Sequence, residues 1–253
     1  MNIRQTEILK VLEERRRVAI SEIKSLFDVS EMTIRRDLTA LEEMGYVTRI
    51  HGGVTAKNRL FLDSSFNQRE KQQVEHKKSI ARTAARMIEP GENVILDTGT
   101  TTLYIARELV RSNMTLTVAT TSLAVASTLF NSTMDVLIFG GSLRREIPDL
   151  IGPLTEKNLL EFHADKLFMG CDGLVPDEGF YTSDLNISHI EEKMTRSADR
   201  VIVVTDSTKF GRKSFVKYAD TDVVDTVITD NGVDRASVQV LRNRGVEVII
   251  AAE

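Results

Sequence analysis

The sequence predicts two units: a small, mainly helical head closed by a β-hairpin, then a Rossmann-like, largely parallel α/β domain. Three observations predict this. Up to about residue 56 the apolar positions recur at helical spacing, and the β-prone pieces flank a Gly-Gly turn. Beyond about residue 77, short runs that are apolar on both faces alternate with amphipathic stretches, the pattern of strands buried beneath helices. Residues 58–76 are polar and aperiodic, as in a linker that turns helical toward its end. The expected division is a head at 1–57, a linker at 58–76 and an α/β domain at 77–253.

In the head, Ile8, Leu9, Val11 and Leu12 make the first helical stripe, and the charged run Glu13-Glu14-Arg15-Arg16-Arg17 ends it. Ser21 is placed to cap a short helix through Phe27 that packs Ile23, Leu26 and Phe27. Asp28-Val29 makes a tight turn. Ser30 caps the next helix, where Ile34, Leu38 and Leu41 follow at i, i+4, i+7 until Gly45 stops it. A short turn between the second and third helices spells helix-turn-helix. Residues 46–50 and 54–56, joined through His51-Gly52-Gly53, add a hairpin wing. Strands are then expected at 93–97, 116–120, 136–139, 166–170, 201–206, 223–229 and 246–250. Helices are expected at 77–88, 102–111, 123–130, 154–162, 187–198 and 234–243.

Composition narrows the function classes. The 253 residues are 42% apolar and 28% charged, an ordinary globular balance. No apolar run approaches the roughly 18 residues of a membrane span, and residues 1–7 show no apolar h-region, so neither a membrane partner nor export is expected. Cys171 is the single cysteine, which together with the missing h-region points to a reducing cytoplasm. His51, His76, His163 and His189 lie at no ligand spacing, so no metal site is expected. The net charge of −4 is unevenly spread: residues 1–57 hold ten Lys and Arg against nine Asp and Glu, residues 58–90 hold seven against four, and the acid excess lies behind them. That asymmetry permits a nucleic-acid-binding head on an acidic body.

On the third helix, Ile34 and Leu38 face inward, which leaves Met32 and Arg36 near the opposite side and Thr33 and Arg35 on the flanks. Such a face can enter a major groove, with arginine forking onto guanine or gripping a phosphate and a methyl-bearing side chain meeting thymine. Glu31 reads as a helix-dipole partner, with a cytosine contact as the alternative. Ser30, Met32, Thr33, Arg35 and Arg36, with His51, Gly52 and Gly53 of the wing, are the candidate DNA-binding residues.

In the second domain, Asp97 closes a strand and Thr98-Gly99-Thr100-Thr101-Thr102 leads into a helix. Unpaired amides at a helix start, a glycine and three hydroxyls make a cradle for a phosphate. The loop lacks the Gly-Lys-Ser/Thr ending of a nucleotide-binding loop and the dinucleotide spacing, so ATP and NAD are not supported and no cofactor is expected. Thr120-Thr121-Ser122, Gly140-Gly141, Cys171-Asp172-Gly173 and Asp206-Ser207-Thr208-Lys209 also stand at strand ends, and the carboxyl edge of a parallel sheet is where ligands bind. Lys209 and the amides after Gly99 would hold a phosphate while Asp97 and Asp172 accept from sugar hydroxyls. Asp172-Gly173 also reads as a plain turn, Asp206 as a cap, and Arg144-Arg145 as either a second phosphate clamp or a solvated pair.

Val29-Ser30-Glu31-Met32-Thr33-Ile34-Arg35-Arg36-Asp37-Leu38, followed by Leu41-Glu42, Gly45 and Arg49-Ile50-His51-Gly52-Gly53, resembles the winged helix-turn-helix head of the DeoR family of bacterial transcriptional regulators. The likeness continues through Asp97-Thr98-Gly99-Thr100-Thr101-Thr102, Gly140-Gly141 and Asp206-Ser207-Thr208-Lys209. Thr121 stands where many members carry an asparagine. The resemblance implies an effector domain similar in fold to ribose-5-phosphate isomerase that senses sugar phosphates or related phosphorylated metabolites. It further implies a homodimer or homotetramer that pairs its heads on a double-stranded DNA operator, most simply a repressor of carbohydrate uptake or catabolism genes. The expected effector contacts are Asp97, Gly99, Thr100, Thr101, Thr102, Thr121, Ser122, Gly141, Asp172, Gly173, Asp206 and Lys209.

The alternative is a sugar-phosphate isomerase-like enzyme carrying a DNA-binding head. It would need a carboxylate base over the substrate, and Glu191 or Glu192 with Asp172 are the candidates. Mid-helix beside Lys193, these glutamates read instead as an exposed charge face, so catalysis is not expected.

Overall fold

The computed structural model describes residues 3–15, 17–27, 29–43, 46–50, 52–56, 66–144 and 147–252. Two compact units divide between residues 69 and 70.

The first unit contains α1 (Ile3–Glu14), β1 (Arg17–Ala19), α2 (Ile20–Phe27), α3 (Glu31–Glu43), β2 (Val47–Ile50) and β3 (Gly53–Ala56). Ile8, Leu9 and Leu12 of α1, Ile23 of α2 and Ile34, Leu38 and Leu41 of α3 enclose one core with Val18, Val47 and Val54. Asp37 is buried in α3 yet paired, accepting from Arg4 Nε at 2.6 Å and Gln5 Nε2 at 3.2 Å. A buried carboxylate needs such partners, and here they tie α1 to α3.

The wing is a three-stranded antiparallel sheet in the order β1-β3-β2. The sequence reading contained no β1, because three residues beside a charged run carry no strand signal of their own. Pairing supplies it: Val18 lies opposite Val54, and Ile20 N donates to Gly52 O at 3.2 Å. The chain passes straight from β1 into α2, so Ser21 lies inside that helix and is not its cap. Gly53 is small for a local reason, since a Cβ there would lie 2.7 Å from Val18 O. Asp28, Gly45 and His51, read as turn, helix stop and wing contact, lie outside the described residues.

A short helix α4 (Phe66–Lys71) and α5 (Val74–Ala85) precede the second sheet. There follow β4 (Asn93–Leu96), α6 (Thr100–Ser112), β5 (Thr117–Thr120), α7 (Leu123–Leu129), β6 (Asp135–Ile138), the small hairpin β7 (Ser142–Leu143) and β8 (Leu150–Ile151), and α8 (Pro153–Leu159). The chain continues through β9 (Ala164–Met169), β10 (Gly173–Val175), β11 (Gly179–Thr182), α9 (Leu185–Thr195), β12 (Ala198–Val204), β13 (Val216–Ala219), β14 (Thr226–Thr229), α10 (Arg235–Asn243) and β15 (Glu247–Ile250).

Seven of these strands form one parallel sheet in the order β15-β14-β12-β9-β4-β5-β6. Alternate residues feed two cores, one on each face: Val94, Leu96, Phe168 and Ile202 pack with α5, α6 and α7, while Ile95, Leu167, Met169 and Val203 pack with α8, α9 and α10. The winding reverses between β4 and β9. From β4 the chain moves outward to β5 and β6, then returns to lay β9 on the other side of β4. Such a reversal opens a crevice beyond the carboxyl ends of the two central strands. A second antiparallel sheet, β10-β11-β13, follows from the end of β9. The seven expected strands and their parallel arrangement are present; this extra sheet and the β7–β8 hairpin are additions to the sequence reading. Among the described residues, no helix is long and apolar enough to cross a membrane.

Candidate functional site

The reading surface is the outer face of α3. Ser30 caps the helix through Thr33 N at 3.2 Å, and its hydroxyl meets Thr33 Oγ1 at 2.8 Å. Thr33 is thereby held toward the helix start. Met32 is 78% exposed, which an apolar side chain of that size seldom is without a partner surface. Arg35 donates to Glu31 Oε1 from Nε at 2.9 Å and Nη2 at 2.7 Å, so Glu31 serves its own helix as an i, i+4 partner. An exposed pair of this kind contributes about 0–1 kcal/mol and releases its arginine at little cost. Arg36 is exposed and makes no ion pair among the described residues. Arg49 of β2 joins the wing to α3, donating from its amide to Glu42 Oε1 at 3.0 Å and from Nη1 to Thr39 Oγ1 at 3.3 Å. Gly52, at φ 76°, takes the left-handed turn conformation that favours glycine.

The second site lies at the carboxyl edge of the parallel sheet. Asp97 follows β4; its carboxylate receives the Gly170 amide at 3.4 Å, and burial pushes it up to about 6 against amide hydrogen bonds from Thr98 and Gly170. Thr102 Oγ1 donates to Asp97 O at 2.7 Å and accepts from Gly99 N at 3.0 Å, which locks the loop as α6 begins. Thr98 and Thr121 hydroxyls meet at 3.0 Å across β4 and β5. Thr100 and Thr101 occupy the first helical positions, where backbone amides lack intrahelical acceptors, and their hydroxyls make no hydrogen bond among the described residues.

Several expected contacts have structural duties. Ser122 caps α7 through Val125 N at 3.3 Å. Gly141 lies so close to Thr155 and Ile151 O that a Cβ would overlap both, and Gly173 packs as tightly against Arg212 O. Asp206 caps the turn 207–209 through Thr208 N at 3.1 Å. Asp172 receives Ser183 N at 3.0 Å and Ser183 Oγ at 2.6 Å. Lys209 is half-buried and makes no ion pair among the described residues. Cys171 is an unreactive neighbour, with burial pushing its thiol up to about 12.

Arg144 is neither a solvated loop arginine nor an open clamp. It binds Asp149 through Nε at 2.9 Å and through Nη2, and reaches Asp184 at 3.2 Å from Nη1. Arg145 lies outside the described residues. The two glutamates also part company. Glu192 is paired with Arg196 on the exposed face of α9, as expected of both. Glu191 is buried instead, and burial, then Asp97 and Asp172, hold its carboxyl well above the usual range. The sequence carried a signal for this: Ile190, Glu191 and Met194 sit on one buried stripe of α9, so an acid occupies a core position. Tyr218 of β13 donates from its hydroxyl to Gly170 O at 2.8 Å and completes the wall. No group of His, Cys, Asp and Glu able to hold a metal ion occurs among the described residues.

Residues 4–59 match the DeoR-like helix-turn-helix domain and residues 72–231 the DeoR C-terminal sensor domain. The chain belongs to the DeoR family. It is 35% identical to the HTH-type transcriptional regulator YulB of Bacillus subtilis, over 97% of this chain and 95% of that one. It is 32% identical to the HTH-type transcriptional repressor CsqR of Escherichia coli, over 100% and 96%. It is also 32% identical to the lactose phosphotransferase system repressor of Streptococcus mutans, over 90% and 91%. These DeoR relatives are transcriptional regulators, and the chain is a regulator and not an enzyme. Among solved structures, ribose 5-phosphate isomerase A from Neisseria gonorrhoeae aligns with TM-score 0.41 and 14% identity over 55% of this chain and 54% of that one. The Pyrococcus horikoshii translation initiation factor eIF-2B aligns with TM-score 0.48 and 15% identity over 90% and 95%.

Proposed function

We propose that this DeoR-family regulator represses genes of carbohydrate uptake or catabolism, and that a phosphorylated sugar or related metabolite in the sensor domain alters its affinity for operator DNA. The observation that carries the reading is the start of α6. Amides without intrahelical acceptors and the hydroxyls of Thr100 and Thr101 stand at the sheet reversal, with Asp97 just before them in the chain and Lys209 in the turn 207–209 that follows β12. Amides and a lysine suit phosphate, and carboxylates suit hydroxyls. Relatives named as repressors, one of them of a lactose phosphotransferase system, support the sign of regulation and the class of genes.

At the head, Arg36 and Met32 enter the major groove with Arg35 and Thr33 on the flanks of the same face, and the wing approaches the backbone. One such head makes few phosphate contacts, so the protein acts as a homodimer or homotetramer on repeated half-sites. Residues 56–76, which join the two sites, are the coupler in this reading. Effector changes DNA affinity only by binding the two conformations unequally.

The test is thermal stability against a panel of phosphorylated and unphosphorylated sugars, polyols and amino sugars. A ligand of the folded state raises the midpoint. A shift with a phosphorylated compound and none with its dephosphorylated twin is the expected result. Equal shifts with both, or none across the panel, would remove the phosphate from the reading.

A further inference from the structure

Glu31 and Arg35 stand one turn apart on α3, and both side chains are half exposed. Glu31 Oε1 accepts twice from the same guanidinium, from Nε at 2.9 Å and from Nη2 at 2.7 Å. These two N–H groups lie along one side of the guanidinium plane. The fork has a second edge at its tip, made by an N–H of Nη1 and the other N–H of Nη2. That edge donates to no group among the described residues. The carboxylate thus holds the plane of the fork while leaving its tip open. Arg36, the next residue, is exposed and has no such partner among the described residues.

We propose that Glu31 is a positioning residue for sequence reading: it holds Arg35 so that the open tip meets O6 and N7 of one guanine in the operator. The inference rests on the reading of α3 as the helix that enters the major groove. In water the pair is weak and Arg35 leaves it at little cost. In the groove the balance changes. A carboxylate that lost its arginine there would stand desolvated beside phosphates, with no cation to pair it. Keeping the pair and using the other edge avoids that cost. A guanidinium held before contact also loses less side-chain freedom on binding. Guanine presents two acceptors to such a fork, whereas adenine presents an acceptor and a donor, so the held fork discriminates between them. A phosphate accepts a fork as well, but it is the same at every base pair and carries no sequence.

The experiment uses the full chain and a randomised pool of duplex DNA. Sites enriched by the wild type are compared with those enriched by Arg35→Ala, Glu31→Ala and the double variant, and affinities for single-base-pair changes are then measured by anisotropy. Arg35→Ala is expected to lose selection for guanine at one position of each half-site, which identifies the base that Arg35 reads. Glu31→Ala is expected to lower the preference for guanine at that same position about tenfold. Its affinity for unselected duplex is expected to stay equal or rise, because an acid near phosphates is gone, and its salt dependence to stay unchanged. Glu31→Gln, which keeps a neutral acceptor, is expected to fall between Glu31→Ala and the wild type. In the double variant the loss at that position is expected to equal that of Arg35→Ala alone, since the carboxylate acts through the guanidinium. The preference is a ratio of affinities within one variant, so a change in the folded fraction cancels. A preference unchanged in Glu31→Ala, or an affinity lowered equally for all sequences, overturns the inference. So does a changed preference at another base pair that also arises in the Arg35→Ala background, the mark of a direct contact between Glu31 and a base. A uniform loss of affinity in Arg35→Ala puts Arg35 on a phosphate, which overturns the inference and leaves the DNA-reading role of α3 standing. No enriched site for the wild type overturns that role and the inference with it.

Discussion

The carboxylate of Asp97, at the end of β4, accepts the backbone amide of Gly170, at the end of β9, at 3.4 Å. One acid thus spans the two strands between which the sheet reverses, and its carboxyl is raised to about 6 by burial. For an acid raised in the fold, the stability tied to the protonated form is complete below its ordinary range and is lost as pH rises through the folded value. Two pH units correspond to about 3 kcal/mol. Asp97→Asn is therefore expected to match the wild type near about pH 4 and to exceed its unfolding free energy by up to about 3 kcal/mol near about pH 8, while the effector response weakens. A difference in stability that does not change with pH would refute the assignment.

Arg36→Ala is expected to weaken operator binding by about 1–3 kcal/mol per head, the worth of a bidentate base contact, with no change in effector-induced melting shifts. Anisotropy titrations on operator DNA measure the first and thermal melts the second. Operator affinity equal to the wild type would place the reading face elsewhere on α3.

Lys209→Ala removes a half-buried ammonium that is unpaired among the described residues. The expected outcome is unchanged operator binding and an effector affinity lower by about 1.5–3 kcal/mol, the range of a hydrogen bond to a charged group. An unaltered dose response in an operator-release assay would take Lys209 out of the site.

Arg144→Ala leaves the fully buried Asp149 without its guanidinium and loosens Asp184. Breaking one side of a buried pair costs about 3–5 kcal/mol, to be seen in denaturant unfolding of the sensor domain. The double variant Arg144→Ala with Asp149→Asn is expected to recover part of that loss. Additive losses would show that the two residues do not act as a pair.

Legibility of the sequence followed the range of the interactions. The parallel strands could be read because each carries its own apolar run, and α3 because Ile34, Leu38 and Leu41 repeat at helical spacing. β1 could not, since its three residues become a strand only by pairing with β3. The loop from Asp97 to Thr102 was visible as a motif, while the duties of Ser122, Gly141 and Asp206 emerged from their neighbours in space. Glu191 was misjudged because its lysine neighbour in sequence suggested solvent, whereas the apolar stripe on which it sits determined its burial.

The position of β9 also orders events during synthesis. β4, β5 and β6 leave the ribosome first, but the sheet centre stays open until β9 arrives to pair with β4. Asp97 has no Gly170 to meet, and the ligand edge has only one bank, until that strand and its successors are made. The head has its own core and needs none of this. At about 5–20 residues per second it is complete roughly 10–40 s before the last strand emerges. A nascent or prematurely ended chain thus possesses a folded reading helix before it possesses any means of answering a metabolite, and it leaves bare the edge of β4 that β9 later covers, a template for wrong pairing.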